Sequence, residues 1–244
     1  MIYPLLEEFL KLTKQGNLIP VYREINADLD TPVSAFLKLE KTEYAFLLES
    51  VEGQERIARF SFLGSDPSLV FKSKGRDIEI ISPKTKTSRC FKAASDPLDE
   101  IKKLMCDFKP VTVKGLPRFY GGLVGYLGYG MVRFFEDIPR KNPDDLKLPE
   151  AYFILADTIL VFDHLKHSIK IVSNCILPGK KTLSNAAKKK IYEQAVLRIE
   201  RIYKQLNKPH VISGHARAAG VAKIVSNFKR EKFCAMVRRA KNYI

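Results

Sequence analysis

The chain has 244 residues, 45% of them hydrophobic and 28% charged, a composition typical of folded globular proteins and enough for one large or two small domains. Its longest apolar runs, such as residues 44–48, last only a few residues, so the sequence predicts no membrane-spanning helix. Glu7 and Glu8 stand where a signal peptide needs an apolar core, and the four cysteines form no CxxC pair. We therefore predict a cytoplasmic protein without a zinc knuckle or a disulfide framework.

The positive charge is concentrated in the last quarter of the chain. Residues 1–179 contain 25 basic and 24 acidic residues, whereas residues 180–244 contain 17 basic and 3 acidic ones. Such a tail is compatible with nucleic-acid binding, but it lacks the interleaved aromatic residues and the recognition motifs of nucleic-acid-binding segments. We therefore favour solvated helices that face water or a protein, and we expect neither nucleic acid nor a membrane as a partner.

Hydrophobic periodicity predicts hairpins with helices between them. A helix is expected over residues 2–15, and a second begins at Asp30-Thr31-Pro32, with Val33, Phe36 and Leu37 facing inward. Further elements are predicted in chain order: strands over residues 44–50, 56–64, 68–73 and 77–82, a helix at about 97–108, and strands over 119–126, 152–162 and 168–173. This order indicates an α+β fold, an antiparallel β-sheet sandwich with flanking helices, and argues against a Rossmann fold.

The tail is predicted to contain two helices. Ser184 is a candidate cap for a helix whose apolar residues recur every three or four positions: Ile191, Ala195, Ile199, Ile202 and Leu206. Residues 207–226 have the composition of a connector, and a last helix is expected to start near Asn227.

Two groups of residues resemble ligand-binding motifs, but a structural role explains their spacing better. The glycines Gly121, Gly122, Gly125, Gly128 and Gly130 match neither GxGxxG nor a P-loop, so close backbone approach in a sheet is the favoured interpretation. His164 and His167 lie at the end of a predicted strand without a third ligand nearby in sequence, which favours a surface turn over a metal site.

Glu49 and Ser50 are more informative, because an acid and a hydroxyl directly follow an apolar strand. A carboxylate in such a place is costly unless a cation or a hydrogen-bond donor meets it. The residues alone leave two alternatives open: a ligand site, or a Glu49 that turns outward or pairs with Arg56 or Arg59.

A family resemblance is carried by segments spread along the chain: residues 46–50, 56–64, 121–129 and 161–164, and Ser226-Asn227-Phe228. The sequences FLLES, RIARFSFLG and GGLVGYLGY in these segments resemble the N-terminal half of anthranilate synthase component I, in collinear order. Phe60 and Gly130 depart from the family pattern, which usually has Tyr and Asp there.

The resemblance implies an enzyme of tryptophan biosynthesis, a lyase that makes anthranilate and pyruvate from chorismate and ammonia with Mg²⁺. A glutamine amidotransferase subunit (component II) would supply the ammonia, and tryptophan would be the feedback inhibitor. The implied tryptophan-binding residues are Leu48, Glu49, Ser50, Val51 and Arg59. No catalytic or metal-binding residue is implied within this chain, because those of the family belong to the C-terminal half.

The same resemblance divides the chain into three parts. Residues 1–206 would be the N-terminal regulatory region, 207–226 a connector, and 227–244 the start of a truncated chorismate-binding domain. The fold would then be incomplete without the C-terminal half, and the chain alone would bind no Mg²⁺ and be inactive. Two alternatives remain: a fragment of aminodeoxychorismate synthase component I, and a stand-alone amino-acid-binding protein with a basic tail.

Overall fold

Two antiparallel sheets organise the structure, a computed structural model that describes residues 1–39, 43–49, 59–139, 143–178, 183–209 and 226–244. The chain divides into two compact units, Met1–His210 and Val211–Ile244. Both sheets belong to the first unit. None of the helices in the described ranges combines the length and the apolar character needed to cross a membrane.

Sheet 1 has six strands, and its middle strands are almost entirely buried. In spatial order the strands are β1 (Ile2–Tyr3), β2 (Leu18–Asn26), β11 (Ser168–Ile176), β10 (Thr158–Asp163), β4 (Phe60–Ser65) and β3 (Ala45–Leu48). Eight of the nine residues of β11 are buried, because both faces of the sheet are covered.

Sheet 2 has five strands, and both of its edge strands are more exposed than its central ones. Its spatial order is β7 (Thr87–Lys92), β6 (Asp77–Ser82), β5 (Val70–Lys74), β9 (Ala151–Ala156) and β8 (Gly122–Leu127). The edge strand β7 buries none of its residues, which are mostly polar.

Helices of the first unit cover the outer faces of both sheets. The helices are α1 (Leu6–Leu12), α2 (Pro32–Lys38), α3 (Pro97–Cys106), α4 (Asn185–Leu206) and α5 (Arg230–Lys241), and a 3-10 helix spans Tyr129–Phe134. Apolar residues of α1, α2 and α4 share a core with one face of sheet 1, whereas α3 and the 3-10 helix share one with sheet 2. A third core, with Val161 and Val172 of sheet 1 and Val124 of sheet 2, joins the inner faces. The predicted α+β antiparallel sandwich with flanking helices is thus confirmed.

Helix caps follow the polar residues seen in the sequence. The Thr31 side chain accepts a hydrogen bond from the Ser34 N–H, and Pro32 occupies the first turn of α2. Asp96 and Ser184 cap α3 and α4 in the same way, through the N–H groups of Leu98 and Ala187.

The first predicted helix was too long, and the inward face predicted for the second was partly wrong. Residues 2 and 3 form β1, which pairs with β2, so only residues 6–12 are helical. In α2 the buried residues are Pro32 and Ala35, whereas Val33 and Leu37 are 45% and 38% exposed. Of the three residues predicted to face inward, Phe36 alone packs against the core that α2 shares with sheet 1.

The predicted strand over residues 152–162 is two strands in different sheets. Asp157 separates β9 in sheet 2 from β10 in sheet 1, so the chain changes sheets at this residue. Apolar periodicity continues across the change because both strands face the same inter-sheet core. The strands β2 and β7 were not predicted.

The tail helices are largely confirmed. The α4 helix ends at Leu206 as expected and buries Tyr192, Ala195, Ile199 and Leu206. The second unit contains α5, which begins at Arg230, three residues beyond Asn227, and buries none of its residues. Whether residues 207–226 form a connector stays a prediction.

Candidate functional site

The predicted binding residue Leu48 lies at the end of edge strand β3, on the inner face of sheet 1. It pairs with Phe62 of β4, and the next two strands continue this row through Val161 to Lys170. The Leu48 side chain is 48% exposed, and Glu49, which follows the strand, is also exposed. This end of the inner face, which we call the β3 end, therefore presents an apolar side chain next to an accessible carboxylate.

Two predicted binding residues, Ser50 and Val51, lie outside the described residues, as does Arg56. The structure therefore brings together three of the five predicted residues at most. These are Leu48, Glu49 and Arg59.

Arg59 lies immediately before β4 and is paired with Asp163, not with Glu49. Its Nε and Nη2 donate to the two carboxylate oxygens of Asp163 at 3.0 and 2.7 Å, a bidentate contact. Burial alone would raise the pKa of Asp163, but the hydrogen bond from Arg59 and the backbone N–H of Lys166 hold that pKa below its ordinary value. The Arg59 guanidinium also lies 4.8 Å from the ring centre of Phe60.

Nothing in the described part of the chain forms a hydrogen bond or an ion pair with Glu49. Of the two protein partners considered for it, Arg59 is engaged by Asp163, and Arg56 lies outside the described residues. The carboxylate of Glu49 is thus accessible to a ligand.

A second ion pair lies on the same end of the inner face. The Nζ of Lys170, whose side chain is 5% exposed, donates to Oε1 of Glu24 at 2.8 Å, and the Ser168 hydroxyl donates to the same oxygen at 2.8 Å. Partial burial would raise the pKa of Glu24, but these hydrogen bonds and the charge of Lys170 bring it below its ordinary value. The two buried charges at the β3 end, on Asp163 and Lys170, therefore each have a partner of opposite charge.

Three aromatic rings that were not predicted as site residues line the inner face beside Leu48. Phe60 and Phe62 alternate along β4, with ring centres 6.2 Å apart, and Phe119 meets Phe62 edge to face at 5.1 Å. The alternation Phe60-Ser61-Phe62 carried the signal, since residues two apart in a strand share a face. An aromatic side chain of a ligand would find compatible rings here.

The histidine and glycine patterns have structural explanations. Nε2 of His164 and the hydroxyl of the buried Ser61 form a 2.7 Å hydrogen bond at the end of β10. A Cβ on Gly125 would come within 1.9 Å of the Tyr152 carbonyl oxygen, so β8 approaches β9 too closely for any side chain there. The structural interpretation of the glycine cluster is confirmed at this position. In the described ranges, no three His, Cys, Asp or Glu side chains are grouped so that they could hold a metal ion.

Comparison with known proteins connects this fold to a family. Residues 43–244 match the chorismate binding enzyme family. The chain is 36% identical over its whole length to the anthranilate synthase component 1 of Acetivibrio thermocellus, covering 49% of that protein, and 36% identical over 98% of its length to that of Aquifex aeolicus, covering 47%.

The fold also has a counterpart among solved structures. The anthranilate synthase component I of Streptococcus pneumoniae superposes with a TM-score of 0.54 at 22% identity, covering 90% of this chain and 45% of that one. The chain thus spans about half the length of the relatives it matches. By the extent of the family match and by its identity to these relatives, the chain belongs to the chorismate binding enzyme family.

Proposed function

We propose that this chain is the tryptophan-binding, regulatory part of an anthranilate synthase component I, an enzyme that makes anthranilate and pyruvate from chorismate and ammonia. The observation that carries the proposal is 36% identity over the whole chain to a protein of that name. The relatives from Acetivibrio thermocellus and Aquifex aeolicus are named for anthranilate synthase, which favours this enzyme over aminodeoxychorismate synthase.

The β3 end offers the three kinds of contact that tryptophan requires. The accessible carboxylate of Glu49 would accept the ammonium group, and the apolar inner face formed by Leu48, Phe60 and Phe62 would hold the indole ring. Nε and Nη2 of Arg59 donate to Asp163, so Nη1 would donate to the carboxylate of the amino acid. Ser50 and Val51 complete the proposed set.

The remaining parts of the reaction would lie outside this chain. In this proposal the chain supplies no catalytic residue, and it is inactive until it is combined with the catalytic half of the enzyme, which holds Mg²⁺. The described side chains contain no grouping suited to a metal, so no step is assigned to them. A glutamine amidotransferase subunit would deliver the ammonia.

Tryptophan binding can be measured directly, because the chain has no tryptophan of its own. Excitation at the red edge of indole absorption reports only the added amino acid, whose anisotropy rises on binding. Glu49→Gln is expected to weaken binding about tenfold, because one charge-assisted hydrogen bond is lost. Ser50→Ala should have an effect of similar direction.

The matched control is Glu136→Gln, which changes an exposed glutamate outside the proposed site. Equal affinity of the parent, Glu49→Gln and control chains would contradict the effector site. If tryptophan fails to raise its anisotropy with the 244-residue chain at all, the regulatory proposal is wrong.

The catalytic part of the proposal has a separate test. Chorismate, Mg²⁺ and ammonia are mixed with the chain, and anthranilate is followed by its fluorescence. We expect no turnover above the uncatalysed background. Production of anthranilate by the chain alone would show that it contains the catalytic residues.

A further inference from the structure

A second pocket lies at the opposite end of sheet 1 from Leu48. Strand register places Leu48, Phe60 and Asp163 at one end of the sheet, and Thr158, Ser173 and Ser65 at the other. At this other end a cavity of about 360 Å³ opens between the two sheets and the segment that follows α3. That volume is within the range of small-molecule sites.

The cavity has an apolar wall. It is lined by Leu18 and Ile176 of sheet 1, Leu155 of sheet 2, and Met105 and Phe108 at and after the end of α3. A hydrocarbon or aromatic group of a ligand would replace water against these side chains, which is favourable.

Two polar side chains in the same lining each keep one oxygen without a partner. Asn174 is 4% exposed and Asp157 is 8% exposed, and Oδ1 of each is buried without a hydrogen bond from the described residues. The other oxygen of Asp157 lies 3.4 Å from Nζ of Lys84. Buried acceptors of this kind are rare in folded proteins, because leaving one unpaired costs free energy.

The orientation of the Asn174 amide is set by its neighbours. Its Nδ2 donates to the Tyr120 carbonyl oxygen at 2.9 Å, so Oδ1 is the atom left over. Gly121 packs directly on this amide, with a φ of +152°, and a Cβ there would come within 2.3 Å of Nδ2. The bend before β8 therefore packs on the nitrogen side of the amide and leaves Oδ1 as the acceptor without a partner.

Arg118 adds a positive charge to the lining of the cavity. Its side chain is exposed, and it has no ion pair with the other described residues. The cavity thus combines buried acceptors, an apolar wall and an accessible guanidinium.

We propose that this cavity binds a small zwitterion with an apolar body, of the amino acid class, at a site distinct from the proposed effector site. The amine donates toward Asp157 and Asn174, the apolar body lies against Met105 and Phe108, and the carboxylate meets Arg118. Local side-chain adjustment brings the two buried oxygens to the amine.

L-phenylalanine is a suitable probe, and the four methionine methyl groups of the chain are suitable reporters. With ¹³C-methyl methionine labelling, Met105 reports the cavity, the buried Met131 reports the outer side of sheet 2, and Met1 and Met236 report the two termini. We expect L-phenylalanine to shift the Met105 signal in a saturable way and to leave the other three unchanged. Phenethylamine and 3-phenylpropionate, which each lack one charged group, should bind more weakly.

Variants separate this site from the one at the β3 end. Asp157→Asn should weaken phenylalanine binding about tenfold or more, whereas Asp77→Asn, an exposed control in sheet 2, and Glu49→Gln should leave it unchanged. Should Asp157→Asn fail to fold, the exposed Arg118→Met tests the carboxylate contact, with phenethylamine affinity as the internal standard. An unshifted Met105 signal, shifts of all four signals, or equal affinity in Arg118→Met would overturn the proposal.

Discussion

The two ends of sheet 1 differ in how completely their buried polar groups are paired. At the β3 end, Arg59 pairs with Asp163 and Lys170 pairs with Glu24. At the other end, which holds Asp157 and Asn174, two buried oxygens are unpaired within the described residues. Because the same strands run through both ends, the difference arises from what covers them.

This difference distinguishes residues that stabilise the fold from residues that we propose to bind a ligand. Removing Arg59 or Glu24 is costly, since the charge left behind on Asp163 or Lys170 stays buried. An acceptor without a partner has no interaction to lose, so substitution there should affect stability little and binding more. The two ends therefore make opposite predictions.

The largest effect is expected for cysteine reactivity. It tests whether α4 shields Cys175, the residue after Asn174, from solvent. Burial raises the pKa of Cys175 to about 12, so its thiolate, the reactive form, is scarce. In the folded chain we expect iodoacetamide to alkylate the exposed Cys90 and Cys106 at least about a hundredfold faster than Cys175. Mass spectrometry of the peptides measures the three rates. Rapid alkylation of Cys175 would mean that α4 does not cover this face.

Removing the partner of Lys170 should produce the largest loss of stability. Glu24→Ala leaves a nearly buried ammonium without its carboxylate, and we expect a loss of about 3 kcal/mol in the free energy of unfolding, measured in urea. Glu136→Ala, which removes an exposed glutamate, serves as the control and should cost less than about 0.5 kcal/mol. Equal losses in the two variants would show that Lys170 reaches water without Glu24.

Acid should weaken the β3 end. The pKa values of Asp163 and Glu24 are lower in the folded chain than in the unfolded one, so their stabilisation is complete above the unfolded pKa of about 4 and is lost as the pH falls through the folded values. Urea unfolding from pH 6 down to about pH 3 should therefore show falling stability, and Asp163→Asn should reduce the slope. If the free energy of unfolding of this variant falls with pH as steeply as that of the parent, the acid sensitivity does not arise from Asp163.

The smallest effect on stability is expected at the other end. Asp157→Asn removes a charge whose one close cation among the described residues, Lys84, is 40% exposed and 3.4 Å away, so the free energy of unfolding should change by less than about 1 kcal/mol. Comparison with Glu24→Ala in the same urea titrations gives the contrast directly. A loss of about 3 kcal/mol in Asp157→Asn would remove the distinction between the two ends.

Much of the element order was predictable from local signals. The caps at Thr31 and Ser184 and the apolar period of α4 marked helices correctly, because capping and amphipathicity depend on residues within a few positions. The sheet change at Asp157 was not visible, since strands on both sides face one core. The strand nature of residues 2–3 was also hidden, because it depends on pairing with β2.

The candidate sites divide in the same way. Leu48 and Glu49 could be identified along the chain, because an acid after an apolar strand and a family resemblance are both properties of sequence. The pairing of Arg59 with Asp163, and the meeting of Asp157 with Asn174 beside Met105, join residues far apart in the chain. Sequence by itself determined the helices, most strands and the family. Only the tertiary structure decided which charges are compensated and which oxygens are left unpaired, because that depends on strand register and on the packing of one sheet against the other.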